Sequence, residues 1–359
     1  MPKTLVISTQ PSQNNIAPDN VTISSTNGVQ GIKNNGISLQ KSNWTAKSSY
    51  ANMVLRSWTS GGSQPINAKS ITWCPQQKVF FAVSNTGVSI RGFKSTDGGV
   101  SFTPITMPLR PISVFGSSPY QWNSVTWSPE LSRYCAVADS TSLGYGEFDY
   151  HNIAYSSDAT SWSKGTITTG ATFQAIIWSS QLSRFVAAGS RIAYSNNGVS
   201  WTTASYVPAA SIYALAWSPE LGLLCAVGSG SLCHRSTNGV DWVQGSGLSS
   251  TNWVSIAWSS QLGLFCAVSP NGTIATSSDA QSWSNLIPLG SRSWVSIVWV
   301  PEFSVFCAVS LGGETAASPD GVNWTLRDAI SGNWTSIAWA PELTSFCAVS
   351  SSGPTMINV

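Results

Sequence analysis

One phrase recurs along this chain, and its unvarying register limits the folds open to it. "SIAWSSQLGLFCAVSP", residues 255–270, has near copies beginning at Ser124, Ala214, Ser296 and Ser336. A chain that reuses one segment builds an array of similar units, because each unit leaves an apolar face that only a neighbouring copy covers. The anchor of the phrase is a tryptophan after alternating small and apolar residues: Trp73, Trp127, Trp178, Trp217, Trp258, Trp299 and Trp339. Eight residues after each lies a second column, Phe81, Cys135, Val186, Cys225, Cys266, Cys307 and Cys347, preceded each time by an aromatic residue or leucine. Between the landmarks sits "SPEL" or "SSQL". With apolar alternation on both sides, that polar turn predicts a hairpin of two short strands, A and B.

A second phrase follows: "STDGGVSF" at Ser95, "SSDATSW" at Ser156, "SNNGVSW" at Ser195, "STNGVDW" at Ser236, "SSDAQSW" at Ser277 and "SPDGVNW" at Ser318. Asx side chains bond nearby backbone amides and glycine accepts positive φ, so this phrase predicts a tight turn between strands C and D. The first phrase occurs seven times and the second six. The C-terminal "TMINV" aligns with strand C and leaves the last unit without a strand D. "NMVLRSWTS" places Trp58 fifteen residues before Trp73, the spacing of Trp324 from Trp339. The expectation is a closed, all-β, seven-bladed propeller over residues 53–359. Its seventh blade joins C-terminal strands A to C to an N-terminal strand D near Met53 to Thr59. Closure leaves no edge strand open to aggregation.

The S-x-[DN]-G-x-x-W phrase resembles the Asp-box of BNR and sialidase-type propellers. "STDGGVSF" matches that spacing with Ser95, Asp97, Gly99 and Phe102, whereas the other copies are one residue shorter and two carry Ala159 or Ala280 in place of glycine. The combined repeat is similar to uncharacterised propeller repeats of giant DNA viruses and some phages. The resemblance covers residues 53–359 and implies the fold. It implies little about activity, since Asp-boxes in that family are structural turns away from any catalytic centre.

Composition narrows the function classes. The chain is 42% hydrophobic and 9% charged, with a net charge of +2 and no basic run, so the counterion release that drives nucleic-acid binding has no source. No apolar run is long enough for a signal-peptide core or a membrane span. A cytoplasmic or virion-associated protein is expected, and its Asn-x-Ser/Thr sequons are read as coincidence. Eight of the fifteen acids belong to the two turn phrases. The others are Asp19, Asp139, Glu147, Asp149, Asp241, Glu314 and Asp328, and no arginine cluster with a Tyr/Glu pair maps onto a sialidase-like centre. Glu147, Asp149 and Asp139 are the one sequence-local group that could supply an acid and a base. The expectation is a non-enzyme with no catalytic residue, cofactor or metal. Cys233 beside His234 stands alone as a ligand pair, and the cysteines of the strand-B column read as buried free thiols of a reducing compartment.

Two features exceed scaffolding. Five residues before the anchor tryptophans runs an aromatic column, Trp122, Phe173, Trp253, Trp294 and Trp334, with Ile212 and Ala68 completing it. Near one mouth of an axial channel these faces would stack on sugars or anchor a partner; the other reading is that they fill the wedge between blades. The second feature is an insertion between strands B and C of blade two, "ADSTSLGYGEFDYHN", carrying Tyr145, Glu147, Phe148, Asp149, Tyr150 and His151. A Pro-rich insertion from Thr103 enters beside it, between blades one and two. Residues 1–52 read as an extended arm suited to docking, or as a leader without function. The sequence therefore predicts a binding or scaffold propeller that presents its loop face to a protein partner. A glycan-binding lectin is the alternative, a glycoside hydrolase the second, and the oligomeric state stays open.

Overall fold

The computed structural model describes residues 58–61, 67–85, 90–112, 116–139, 152–167, 169–231, 233–249, 251–286, 292–328, 330–351, 353 and 355–358, together with four short strands nearer the N-terminus. The chain divides into two compact units, residues 1–55 and 56–359. In the first, Ile7–Ser8 pairs antiparallel with Thr22–Ile23, and Ile32–Asn34 with Ile37–Leu39.

The second unit is the propeller. Among the described residues it holds six four-stranded sheets and one of five strands. Strand A of blades one to seven is Ser70–Cys74, Trp122–Ser128, Phe173–Ser179, Ile212–Ser218, Ser255–Ser259, Trp294–Val300 and Trp334–Ala340. Each A strand packs on that of the next blade, and the seventh packs on the first, so the A strands form the inner ring. Blade seven is completed by Trp58–Ser60, antiparallel to Met356–Asn358 with Ile357 opposite Thr59. The closing strand expected from the tryptophan spacing is thus present. Blade three carries the extra strand, Thr166–Ile167, parallel to Ser200–Thr203. Among the described residues no helix is long and apolar enough to cross a membrane.

Cross-blade contacts explain the repeated phrases. The indole N–H of Trp73 donates to Glu342 at 2.8 Å, Trp127 to Gln76 at 2.8 Å and Trp178 to Glu130 at 2.6 Å. Trp258 donates to Glu220 at 2.6 Å, Trp299 to Gln261 at 2.7 Å and Trp339 to Glu302 at 2.9 Å. Each bond ties an anchor tryptophan to the A–B turn of the preceding blade, and the first closes the ring. Among the described residues Trp217 lacks this latch, its indole nitrogen having no partner there. Each A–B turn needs one residue in the left-handed region, five positions after the tryptophan: Lys78, Ser132, Ser183, Gly222, Gly263, Ser304 and Thr344, with φ between 45° and 62°.

The cysteines of the strand-B column are small for a steric reason. A Cβ on Gly198 of blade three would lie 2.6 Å from Cys135 Sγ of blade two, and one on Gly99 of blade one 2.7 Å from Cys347 Sγ of blade seven. The turn of one blade sits directly on the column of its neighbour, so cysteine there is a compact apolar filler. All seven cysteines are free and buried. Burial raises the thiols of Cys135, Cys225, Cys266 and Cys347, and pushes that of Cys307 up to about 12.

Candidate functional site

Antiparallel blades give the ring two chemically distinct ends, with A–B and C–D turns at one and B–C and D–A connections at the other. At the turn end the Asp and Asn side chains are consumed by their own turns. Asp158 Oδ1 accepts the backbone N–H groups of Thr160 and Ser161, both at 2.7 Å, and the Ser156 hydroxyl at 2.9 Å. Asp279 and Asp320 repeat the arrangement, and Asn197 and Asn238 reproduce it without charge. Burial raises the Asp158 carboxyl, but these donors outweigh it and lower the group to about 2. Asp97, Asp279 and Asp320 are lowered by the same balance.

At the loop end the structure corrects the reading of the aromatic column. Trp122, Trp253, Trp294 and Trp334 are each 0% exposed, so no ligand reaches their faces. In blades two, six and seven the cause is a β-bulge at the start of strand A. Trp127 pairs with Tyr134 and Trp122 with Ala138, with a register shift between Trp122 and Ser124. Because Tyr134 and Ala138 lie four residues apart on strand B, they share a face, and so must the two tryptophans. Strict alternation would have set them on opposite faces. The indole of Trp122 therefore packs into the wedge against Val83, Ile105 and Met107 of blade one, and that of Trp253 against Val227 and Leu248 of the blade-four side. The remaining candidates, Tyr145, Glu147, Phe148, Asp149, Tyr150 and His151, lie outside the described residues.

The position following the buried column forms the inner rim of the loop end: Lys69, Asn123, Gln174, Tyr213, Val254, Val295 and Thr335. Asn123 is buried, Lys69 exposed and the other five half-buried. On the blade-two side Asp139, just beyond strand B (Arg133–Ala138), gathers the polar members. Its Oδ1 accepts Asn123 Nδ2 at 2.7 Å and Gln174 Nε2 at 2.9 Å, while Asn123 Nδ2 also donates to the Phe173 carbonyl at 2.9 Å. Burial raises the carboxyl of Asp139, with the two amides and Lys69 pulling the other way, and the balance stays above the ordinary value. The sequence offered Asp139 only as a remaining acid that, with Glu147 and Asp149, could supply an acid and a base. The signal it lacked is that Asn123 and Gln174 sit in register beside it on two blades.

Both insertions root at this end. The Pro-rich one contains a hairpin, Leu109–Ile112 paired with Gly116–Pro119, and returns through Tyr120, which is buried against Trp122 with ring centroids 5.3 Å apart. The blade-two insertion leaves at Asp139 and returns at Asn152, whose side-chain amide donates to the carbonyls of Ala138 at 2.8 Å and Ala171 at 2.5 Å. The Asp139 N–H donates to the Gln121 carbonyl at 3.1 Å, joining the exit of the first insertion to the start of the second.

On the blade-four side of the same end, His234 at the start of strand C is fully buried, its Nδ1 2.8 Å from the hydroxyl of Tyr206 in the preceding D–A connection. Burial lowers it to about 4, so it is neutral at physiological pH. Among the described residues no group of three or more His, Cys, Asp or Glu side chains is placed to hold a metal.

No protein-family model matches the chain, and no curated protein does. Solved structures do. The fold is similar to YCF48 bound to a D1 peptide, with TM-score 0.62 and 17% identity over 84% of this chain and 96% of that one. It is also similar to streptogramin B lyase, with TM-score 0.66 and 10% identity over 85% and 99% of the two chains. YCF48 from Cyanidioschyzon merolae aligns with TM-score 0.60 and 13% identity over 84% and 98%. Identities this low establish the seven-bladed propeller and leave activity to the site, since one neighbour holds a peptide and another is a lyase.

Proposed function

We propose that this chain is a non-enzymatic binding propeller that takes a protein partner, as an extended segment, on the loop end of the ring beside blade two. The observation that carries the reading is the shared root of the two insertions at Gln121 and Asp139. Segments that break a strict repeat and emerge side by side on a rigid ring form the usual setting of a binding site. The peptide held by one structural neighbour supports a polypeptide ligand on this architecture. The likeness of the repeats to Asp-box and viral propellers adds a virion or host-cytoplasm setting to the proposal, which mass spectrometry of purified particles tests. A glycan ligand is the second reading, and with the tryptophan column buried it rests on the aromatic side chains of the blade-two insertion alone.

The test is selection of a displayed peptide library on the immobilised full chain, run beside a glycan array and a panel of fluorogenic glycosides. Enriched peptides that lose binding when Tyr145→Ala is introduced, with no glycan retained and no turnover, support the proposal. Peptides that bind Tyr145→Ala and a deletion of residues 141–150 as well as the wild type would overturn it. Saturable glycan binding moves the assignment to a lectin, and glycoside turnover to a hydrolase.

A further inference from the structure

Asp139 is a carboxylate that the fold does not require. The corresponding positions, four residues after the strand-B column, are Asn85, Ser190, Ser229, Pro270, Leu311 and Ser351 in the other blades, all uncharged, in a ring that closes around them equally well. Its two amide partners are equally local. Asn123 and Gln174 occupy a rim position that elsewhere holds Lys69, Tyr213, Val254, Val295 and Thr335. Aspartate and amides therefore coincide at one place on the ring, which a general device for joining blades would not explain.

The geometry fixes the carboxylate through one of its oxygens. Oδ1 takes both amide hydrogen bonds, from two different blades, and Asn123 is itself held by the Phe173 carbonyl. Among the described residues no group donates to Oδ2. An ionised carboxylate can accept about four hydrogen bonds, so its acceptor capacity is half filled. A half-buried negative charge without a charge-assisted hydrogen bond is costly, and such a bond to a basic group is the interaction that relieves it most. Lys69, on the same rim in blade one, is exposed and lowers the Asp139 carboxyl through space, but it makes no ion pair with it among the described residues, so the hydrogen-bonding sites of Oδ2 stay open.

We propose that Asp139 is the anchor for a basic side chain, a guanidinium or ammonium group, carried by the partner into the inner rim of the loop end. This rests on the proposed binding function in taking the ligand to be a polypeptide, and it names the chemistry that the blade-two side recognises. Lys69 then opposes binding, since it repels the incoming cation, and the half-buried Tyr213, Val254 and Val295 across the rim suit apolar neighbours of the basic residue.

The experiment titrates the full chain with N-acetyl-arginine methylamide, N-acetyl-lysine methylamide and the neutral N-acetyl-citrulline methylamide, reading saturable chemical-shift changes at the rim. For probes of this size a Kd of about millimolar is expected for the arginine or lysine compound. Whichever of the two binds more tightly identifies the cation. Asp139→Asn should weaken that binding about tenfold or more, whereas Lys69→Ala should tighten it roughly two- to threefold by removing repulsion. A purely structural clamp predicts neither the loss of the charged probe alone nor the gain in Lys69→Ala. Absence of saturable binding, equal binding of citrulline, or an affinity unchanged in both variants would overturn the inference. Capture of displayed peptides that lack a basic residue, with no binding of the charged probes, would remove this inference while leaving the binding function intact. Binding of the charged probes without capture of any peptide would do the reverse.

Discussion

The two ends of the ring use the same kinds of side chain in opposite ways. At the turn end Asp158, Asn197, Asn238, Asp279 and Asp320 all accept backbone amides of their own turns, and glutamate or glutamine repeatedly accepts the indole of the next blade. At the loop end the rim changes from Lys69 through Asn123 and Gln174 to Tyr213 and Val254, and among the described residues none donates to Oδ2 of Asp139. The contrast teaches where function has room. Groups whose hydrogen bonds are consumed by folding cannot also read a ligand, whereas at the rim the backbone bond from Asp139 to Gln121 recurs at Ser190, Ser229, Leu311 and Ser351 and the rim side chains are free to differ by blade.

That division makes stability fall on one end and binding on the other, and the sharpest way to break it is steric. Gly198 has φ of +72° and no room for a Cβ, which would stand 2.6 Å from Cys135 Sγ and 3.0 Å from Phe185. Gly198→Val should cost about 3 kcal/mol or more, from left-handed strain plus overpacking, and a denaturant titration reads it as a lower midpoint. A wild-type midpoint in this variant would mean the blades do not seat on one another as described.

Acid should act next most strongly, in two stages. His234 has its folded value lowered to about 4 from an ordinary 6.5, so its neutral form supports the fold above pH 6.5. That contribution, up to about 3 kcal/mol, is lost as pH falls from 6.5 toward 4. The Asp158 carboxyl, lowered to about 2, contributes above its unfolded value and loses that contribution as pH falls from about 4 toward 2. A calorimetric pH series should show both limbs, with the first flattened in His234→Gln and the second in Asp158→Asn.

The latches should give a smaller effect. Glu220→Ala frees the Trp258 indole and should lower the melting temperature by about 2–4 °C. Glu220→Gln should be close to neutral, because Gln76 and Gln261 already make the same bond to Trp127 and Trp299. Neither variant should alter capture of a peptide. Smallest of all in stability is Tyr145→Ala, expected within about 0.5 kcal/mol of wild type while reducing partner binding. A large loss of stability there would show that the blade-two insertion is part of the scaffold.

What the sequence by itself determined was everything that a short window encodes. The seven tryptophan anchors, the turn chemistry at Asp158 or Gly198 and the spacing of Trp58 from Trp73 were enough to count blades, assign the hairpins and find the closing strand, because turns and alternation are local properties of a few neighbouring residues. Only the tertiary structure decided which way Trp122, Trp294 and Trp334 face, since that depends on one bulged residue in the register between two strands. The same holds for Glu342 reaching Trp73 and for Asp139 meeting Gln174, contacts between separate blades that no window of the chain contains. Local geometry is written in adjacent residues, but the faces and partners of side chains are set when the ring closes and brings distant strands into register.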